Sequence, residues 1–420
     1  MARNNQRRLI MGVAQGVLLL APLVFPASAK LSTLAEEPEW RLLDKYQGTL
    51  TVTEFQERIP VFSSDGALNQ YLTVSDGRVE IFSDKGKTAK LWELRLAAKP
   101  ADGAGKSIRA PADRERPLTG LRICLDPGHI GGEWADMEER HFRIRGGPWV
   151  DEAALNFETC RWIERGLRAA GAEVLWVKRE LGVPVTDRRP ADFVPQAIKM
   201  MWRVDAKKAS RSAANAQLKL LRWYEELIFY RVAEIQARAE IARDLQPDLT
   251  LCIHYNAFGW SKRGPKLHQN VNRIVIFTHG GYLASELEYD DMKFHLLQKL
   301  LAADSDTERR VAEAVARQVV NVWNYPPERP GESPLTVTAT PLGKTPYVWS
   351  RNLLANRLYP GPVVFVEGPF MDDALTYQRI IAGDYDGERT IAGRKYRSLY
   401  REYAEIVVQG VIDAYRQPPP

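Results

Sequence analysis

From residue 120 onward the chain predicts a layered α/β fold, preceded by a small α+β or mostly-β module. Three observations carry that reading. Short apolar runs rich in β-formers alternate with stretches of helical periodicity from 120 to 416. Three of those runs end in a histidine or a carboxylate, where ligands gather in such sheets. Ahead of them, residues 30–99 carry closely spaced strand and turn signals with their own rhythm.

The composition agrees. The chain has 420 residues, 45% hydrophobic and 26% charged, enough for one large core and too apolar for a disordered chain. The formal net charge is +5, and Arg3, Arg7 and Arg8 of that balance lie in a leader. No later basic run is interleaved with aromatics, which argues against a polyanion-binding protein. Three cysteines, Cys124, Cys160 and Cys252, cannot all pair, so a disulfide scaffold is excluded and buried thiols are expected.

Residues 1–29 have a basic start, an uncharged apolar stretch from Leu9 to Phe25, and Ala27-Ser28-Ala29 at the end. That is the pattern of a cleaved signal peptide, and it predicts export to the periplasm or cell envelope. The other reading, an uncleaved anchor, is disfavoured by Pro22 and Pro26. In the module at 30–99, Gly48–Thr53 is β-branched, residues 53–58 could open a helix, and strands are expected at 72–74, 79–82 and 91–96. Residues 100–118 have linker composition. The domain assigned to 119–420 then reads as strands at 121–125, 174–177, 249–254, 273–277 and 362–367, with helices at 153–170, 218–244, 308–323 and 394–416. Two segments break the rhythm, a basic one at 187–217 and an acidic one at 280–305. Each is either the lid of a site or a solvated excursion.

The first strand runs into Asp126-Pro127-Gly128-His129, the third ends at His254 and the fifth at Glu367. Two imidazoles and a carboxylate with an open fourth position form a catalytic zinc set, and Glu152, opening the next helix, offers the carboxylate. Spacing alone leaves each histidine equally readable as a core or rim residue. Asp126 either supports His129 or caps a turn.

These residues resemble a known family. Leu125 to Gly132, Glu152-Ala153-Ala154-Leu155-Asn156, Arg238 with the block Pro247 to Ala257, and Val363 to Phe370 are similar, in order, to the motifs of zinc-dependent N-acetylmuramoyl-L-alanine amidases of the Amidase_3 type. The resemblance covers roughly residues 120 to 416. It implies a mixed sheet with helices on both faces, a zinc amidase fold of the phosphorylase/hydrolase-like kind. It implies a peptidoglycan hydrolase cutting the amide between N-acetylmuramic acid and L-alanine. His129, Glu152 and His254 would bind Zn²⁺, and Glu367 would be the catalytic carboxylate. Tyr255 and Asn256, next to His254, either orient substrate or a ligand or make ordinary strand-end hydrogen bonds.

The sequence departs from the family pattern at Ile130 and at Pro369, where Pro369-Phe370-Met371-Asp372-Asp373 closes the last motif. Glu133, Glu138 and Glu139 compete with Glu152 as third ligand. His268, His279 and His295 match no motif and are expected at the surface or rim. A monomer is expected, with peptidoglycan as partner, no nucleic acid, and an activator protein acting on a lid. Another exported zinc amide hydrolase or peptidase, or a non-catalytic wall-binding module, are the competing readings.

Overall fold

The computed structural model describes residues 30–63, 65–75, 77–100, 113–205, 214–259, 264–331, 336–342 and 345–416. The expected leader and most of the expected linker lie outside the described residues. No helix among the described residues is long and apolar enough to cross a membrane.

In the amino-terminal part a 3-10 helix (Trp40–Tyr46) precedes helix α1 (Val52–Phe62), and a three-stranded antiparallel sheet follows, β1 (Leu72–Ser75), β2 (Arg78–Phe82) and β3 (Lys90–Arg95). The β-branched stretch before α1 is not a strand. Thr51 accepts from Glu54 N while Glu54 accepts from Thr51 N, and this capping box starts a helix where β-propensity alone suggested extension.

The central sheet has seven strands in the order β10-β11-β9-β12-β8-β4-β7. They are β4 (Arg122–Pro127), β7 (Glu173–Trp176), β8 (Leu249–Asn256), β9 (Val275–His279), β10 (Thr340–Pro341), β11 (Val348–Arg351) and β12 (Val363–Phe370). A small hairpin, β5 (His141–Phe142) and β6 (Val150–Asp151), stands between β4 and helix α2 (Glu152–Ala169). Strands β7, β4, β8 and β12 are parallel. Strand β9 runs antiparallel to β12, and β11 runs with β9, so the sheet is mixed.

Period-two alternation sorts the side chains. Ile123, Leu125, Leu251, Ile253, Val364 and Val366 share a core with α2, α7 (Asp304–Val322) and α10 (Leu399–Arg416). Cys124, Cys252, Phe277, Trp349 and Phe365 pack on the other face with α5 (Glu234–Leu245) and α8 (Leu354–Leu358). All three cysteines are free and buried, as expected.

The reversal of β9 corrects one expectation. The segment at 280–305 follows the carboxyl end of β9, and that end lies at the opposite end of the sheet from His254 and Glu367. It is no lid over that site. It forms α6 (Asp290–Ala302), whose Leu296, Leu297 and Leu300 share a core with Phe55, Phe62, Leu68 and Ile81 of the amino-terminal part. Its acidic residues are spent on that junction: Asp291 accepts from Ser32, and Asp290 from Ser83. His279, expected near the surface, is only 1% exposed because β9 ends against α1, and its Nε2 bonds Tyr282 Oη at 2.8 Å.

The segment at 187–217 supplies α3 (Val194–Asp205) and the start of a helical pair with α4 (Ala214–Ile228). A π-helical turn at Phe229–Ala233 then joins α4 to α5, dividing what the periodicity presented as one helix. The closing helix starts later than expected. Ala392 and Gly393, both at positive φ, turn Arg389–Ile391 back on Arg394–Tyr396 as a two-residue hairpin, and α9 (Ala374–Ile381) precedes it.

Candidate metal centre and cleft

Asp126, His254 and Glu367 share the alternation phase of the α5–α8 face. Strands β12 and β8 are in register at Glu367 and His254. Tyr403 Oη lies within hydrogen-bond distance of the His254 carbonyl (3.0 Å) and the Val366 carbonyl (2.9 Å), and clasps the two strands at that level. Gly368 leaves room for that tyrosine, since a Cβ there would meet its ring at 2.6 Å.

Glu152 enters from the first turn of α2. Its Oε1 lies 3.1 Å from His129 Nε2 and 3.2 Å from His254 Nδ1. One donor atom from each of His129, Glu152 and His254 falls within 4.8 Å of the others. Two imidazoles and a carboxylate so placed fit a single Zn²⁺ with an open position. Electrostatics point the same way. Burial disfavours protonation of His129, yet Glu152 and Glu138 overcome it and raise its pKa to about 9. Burial works against ionisation of Glu152 too, and the neighbouring His129 holds it well below the usual carboxylate value. The pocket is built to receive positive charge.

The open alternatives for the third ligand find other places. Glu138 is buried, accepts from Ile130 N (2.9 Å) and Gly131 N (2.9 Å), and stands 3.5 Å from His129 Nδ1, on the far side of that ring from Glu152. Glu133 and Glu139 are exposed. Ile130 is fully buried against Phe193, Ile228 and Phe229, so this departure wedges the loop against the helical segment.

Other residues fix these side chains. His129 sits at φ 67, a left-handed conformation uncommon outside glycine. Its carbonyl is pinned by Arg238 Nη2 (2.9 Å) and Lys178 Nζ (2.5 Å). Arg238 is buried and pairs with Asp126 and Glu234 at 2.8 Å each. Asp126 also accepts from Tyr359 Oη at 2.7 Å. Asp126 thus neither bonds His129 nor caps a turn, but acts through Arg238. Asn156 Nδ2 holds the Gly128 carbonyl, and Arg140 Nε reaches Glu152 Oε2 at 3.2 Å. Arg238 and Asn156 stand inside the quoted motifs, whereas Glu138, Arg140 and Lys178 had no local pattern to reveal them.

Glu367 lines the same cleft, of about 1180 Å³. Burial raises its pKa, and Glu152 repels a second negative charge, while His254 and His129 oppose the shift. Tyr255 does not fit the substrate role. It takes the opposite alternation phase, is 1% exposed, and pairs with Thr159 Oγ1 at 3.0 Å. Asn256 does line the cleft, with Oδ1 on Ala257 N and Nδ2 without a partner among the described residues. After Pro369, Asp372 accepts from Phe258 N and Gly259 N, tying the rim to the last strand. His268 is half-buried there, against Phe258.

No protein-family model and no curated protein matches the chain. Among solved structures, the chain is similar to the CwlD amidase from Clostridioides difficile in complex with the GerS lipoprotein. The TM-score is 0.37 at 12% identity, over 70% of this chain and 98% of that one. N-acetylmuramoyl-L-alanine amidase AmiC2 of Nostoc punctiforme gives 0.36 at 12% identity, over 71% and 99%. Cwp6 from Clostridium difficile gives 0.35 at 13% identity over 70% of this chain, and the match spans 29% of Cwp6. Likeness at this level carries no chemistry, which rests on the side chains.

Proposed function

We propose that the chain is an exported zinc-dependent N-acetylmuramoyl-L-alanine amidase acting on peptidoglycan. The observation that carries this reading is the convergence of His129, Glu152 and His254 within 4.8 Å, with Glu367 beside His254 in strand register. The motif resemblance supplies the substrate class, and the leader supplies the compartment.

His129, Glu152 and His254 would hold the metal. A Zn²⁺ held by these three side chains would supply Lewis-acid chemistry, bringing the pKa of a water toward neutrality and polarising the scissile carbonyl. Glu367 takes the proton of the attacking water and then delivers a proton to the leaving amine, which cannot depart as an anion. Its raised pKa suits both halves of that task. Arg140 and Glu138 keep Glu152 and His129 in place. Asn256 lies where a substrate amide would pass. The π-helical turn after α4 reaches the cleft through Tyr230 and Arg231, so an activator acting on the α3–α4 pair would reach the cleft through that turn.

Digestion of purified sacculi with the zinc-loaded protein tests the reading. Intact stem peptides with a new amino-terminal alanine are expected by mass spectrometry. Shortened stems still attached to glycan would point instead to a peptidase.

A further inference from the structure

Five arginines line the cleft: Arg140, Arg231, Arg238, Arg273 and Arg351. Four have polar partners. Arg140 pairs with Glu152, and Arg238 with Asp126 and Glu234. Arg231 bonds Tyr230 Oη at 3.0 Å, and Arg273 donates to the Asn272 carbonyl at 3.0 Å. Arg351 differs. It is half-buried, and its guanidinium lies 5.5 Å from the centre of the Phe277 ring. Its side chain makes no hydrogen bond or ion pair among the described residues.

Its place is informative. Arg351 ends β11 in register with His279, at the other end of the sheet from Glu367, but on the same face, and its side chain reaches the cleft over Phe277. Phe277, beneath it, is in register with Phe365, two residues before Glu367. Burial lowers the pKa of Arg351, and Glu367 and Glu286 attract it without touching it. Leu353, Leu354 and Phe365 make the surroundings apolar. The guanidinium is half-buried and still reaches solvent, its donors are unspent, and its fork fits one partner best, a carboxylate.

We propose that Arg351 is a specificity-determining residue that receives a carboxylate of the peptide leaving group, so that the preferred substrate is a muramyl peptide with an anionic stem. This deepens the amidase reading and rests on it. The field at Glu367 offers a rival role, in which Arg351 acts on the general base and is indifferent to substrate charge.

The experiment compares two synthetic muramyl tripeptides, one with free carboxylates and one with every carboxylate as carboxamide. The kcat/KM of the zinc-loaded full chain is measured for wild type, Arg351→Met and Arg351→Lys. Wild type is expected to favour the free acid by roughly 10–100-fold, the range of a hydrogen bond to a charged group. In Arg351→Met the ratio falls to within about twofold of unity, and in Arg351→Lys, which keeps the charge without the fork, it is intermediate. No preference in wild type, or an equal loss on both substrates in Arg351→Met, overturns the proposal. Calorimetric titration with the free tripeptide is the second readout. Binding that weakens in Arg351→Met without any turnover keeps the anion site and removes the amidase reading. Equal binding, or none, in both proteins removes the anion site.

Discussion

Glu367 and His254 are register partners on adjacent parallel strands, side by side on one face of the sheet. In the proposed reading, that pairing sets the general base next to a metal ligand without making it a ligand itself. Glu367→Ala should therefore keep the metal and lose the proton relay. Hydrolysis is expected to fall by about 10²–10⁴-fold, the usual contribution of a positioned acid–base group, with metal content unchanged by elemental analysis.

Gly128 is a contact site for the His254 ring. A Cβ there would stand 2.2 Å from Cε1 and 2.5 Å from both ring nitrogens. Gly128→Ala should swing the imidazole out of the ligand set and weaken zinc binding by roughly 10–100-fold, the scale seen when ligand orientation is lost. Competition with a chelator measures this, and unchanged affinity would show that the ring does not need its present position.

The buried ion pair of Arg238 with Asp126 supports the strained His129 backbone. Arg238→Met leaves both Asp126 and Glu234 buried without their cation and is expected to cost about 3–5 kcal/mol in denaturant unfolding. Asp126→Asn leaves Arg238 paired with Glu234 and should cost less. The double variant should cost less than the sum, because Asp126 is then no longer an unpaired charge.

Glu308 makes stability depend on pH far from the cleft. Burial raises its pKa from 4.5 to about 7, although its two oxygens accept from His279 N and Val363 N. The native state then binds more protons than the unfolded chain between those values. This contribution is complete below pH 4.5 and is lost as the pH rises toward 7, a decline of about 3 kcal/mol. Glu308→Gln cannot ionise and should flatten that slope. It should also lower stability throughout, because its amide nitrogen must face one of the two N–H donors. Urea unfolding across pH 4.5–7.5 measures both effects.

Much of the centre was legible because its residues sit where chain geometry is simple. His254 and Glu367 end apolar runs, and Glu152 opens a helix, so period and position marked them. Tyr255 shows the limit: one place along the strand from a ligand, alternation turned it into the opposite core. Strand β9 shows another, since an apolar run carries no sign of its direction, and its reversal moved residues 280–305 away from the cleft. Glu138 was one of several acidic residues in a loop. Only the fold shows that it caps Ile130 N and Gly131 N.

Zinc stoichiometry is the most direct measure of the central claim. Elemental analysis of wild type and of His129→Ala, Glu152→Ala and His254→Ala, each shown to be folded by circular dichroism, should give one zinc per wild-type chain and a large loss in every variant. Full zinc content in any of the three variants would contradict the account, because that side chain would then not be a ligand.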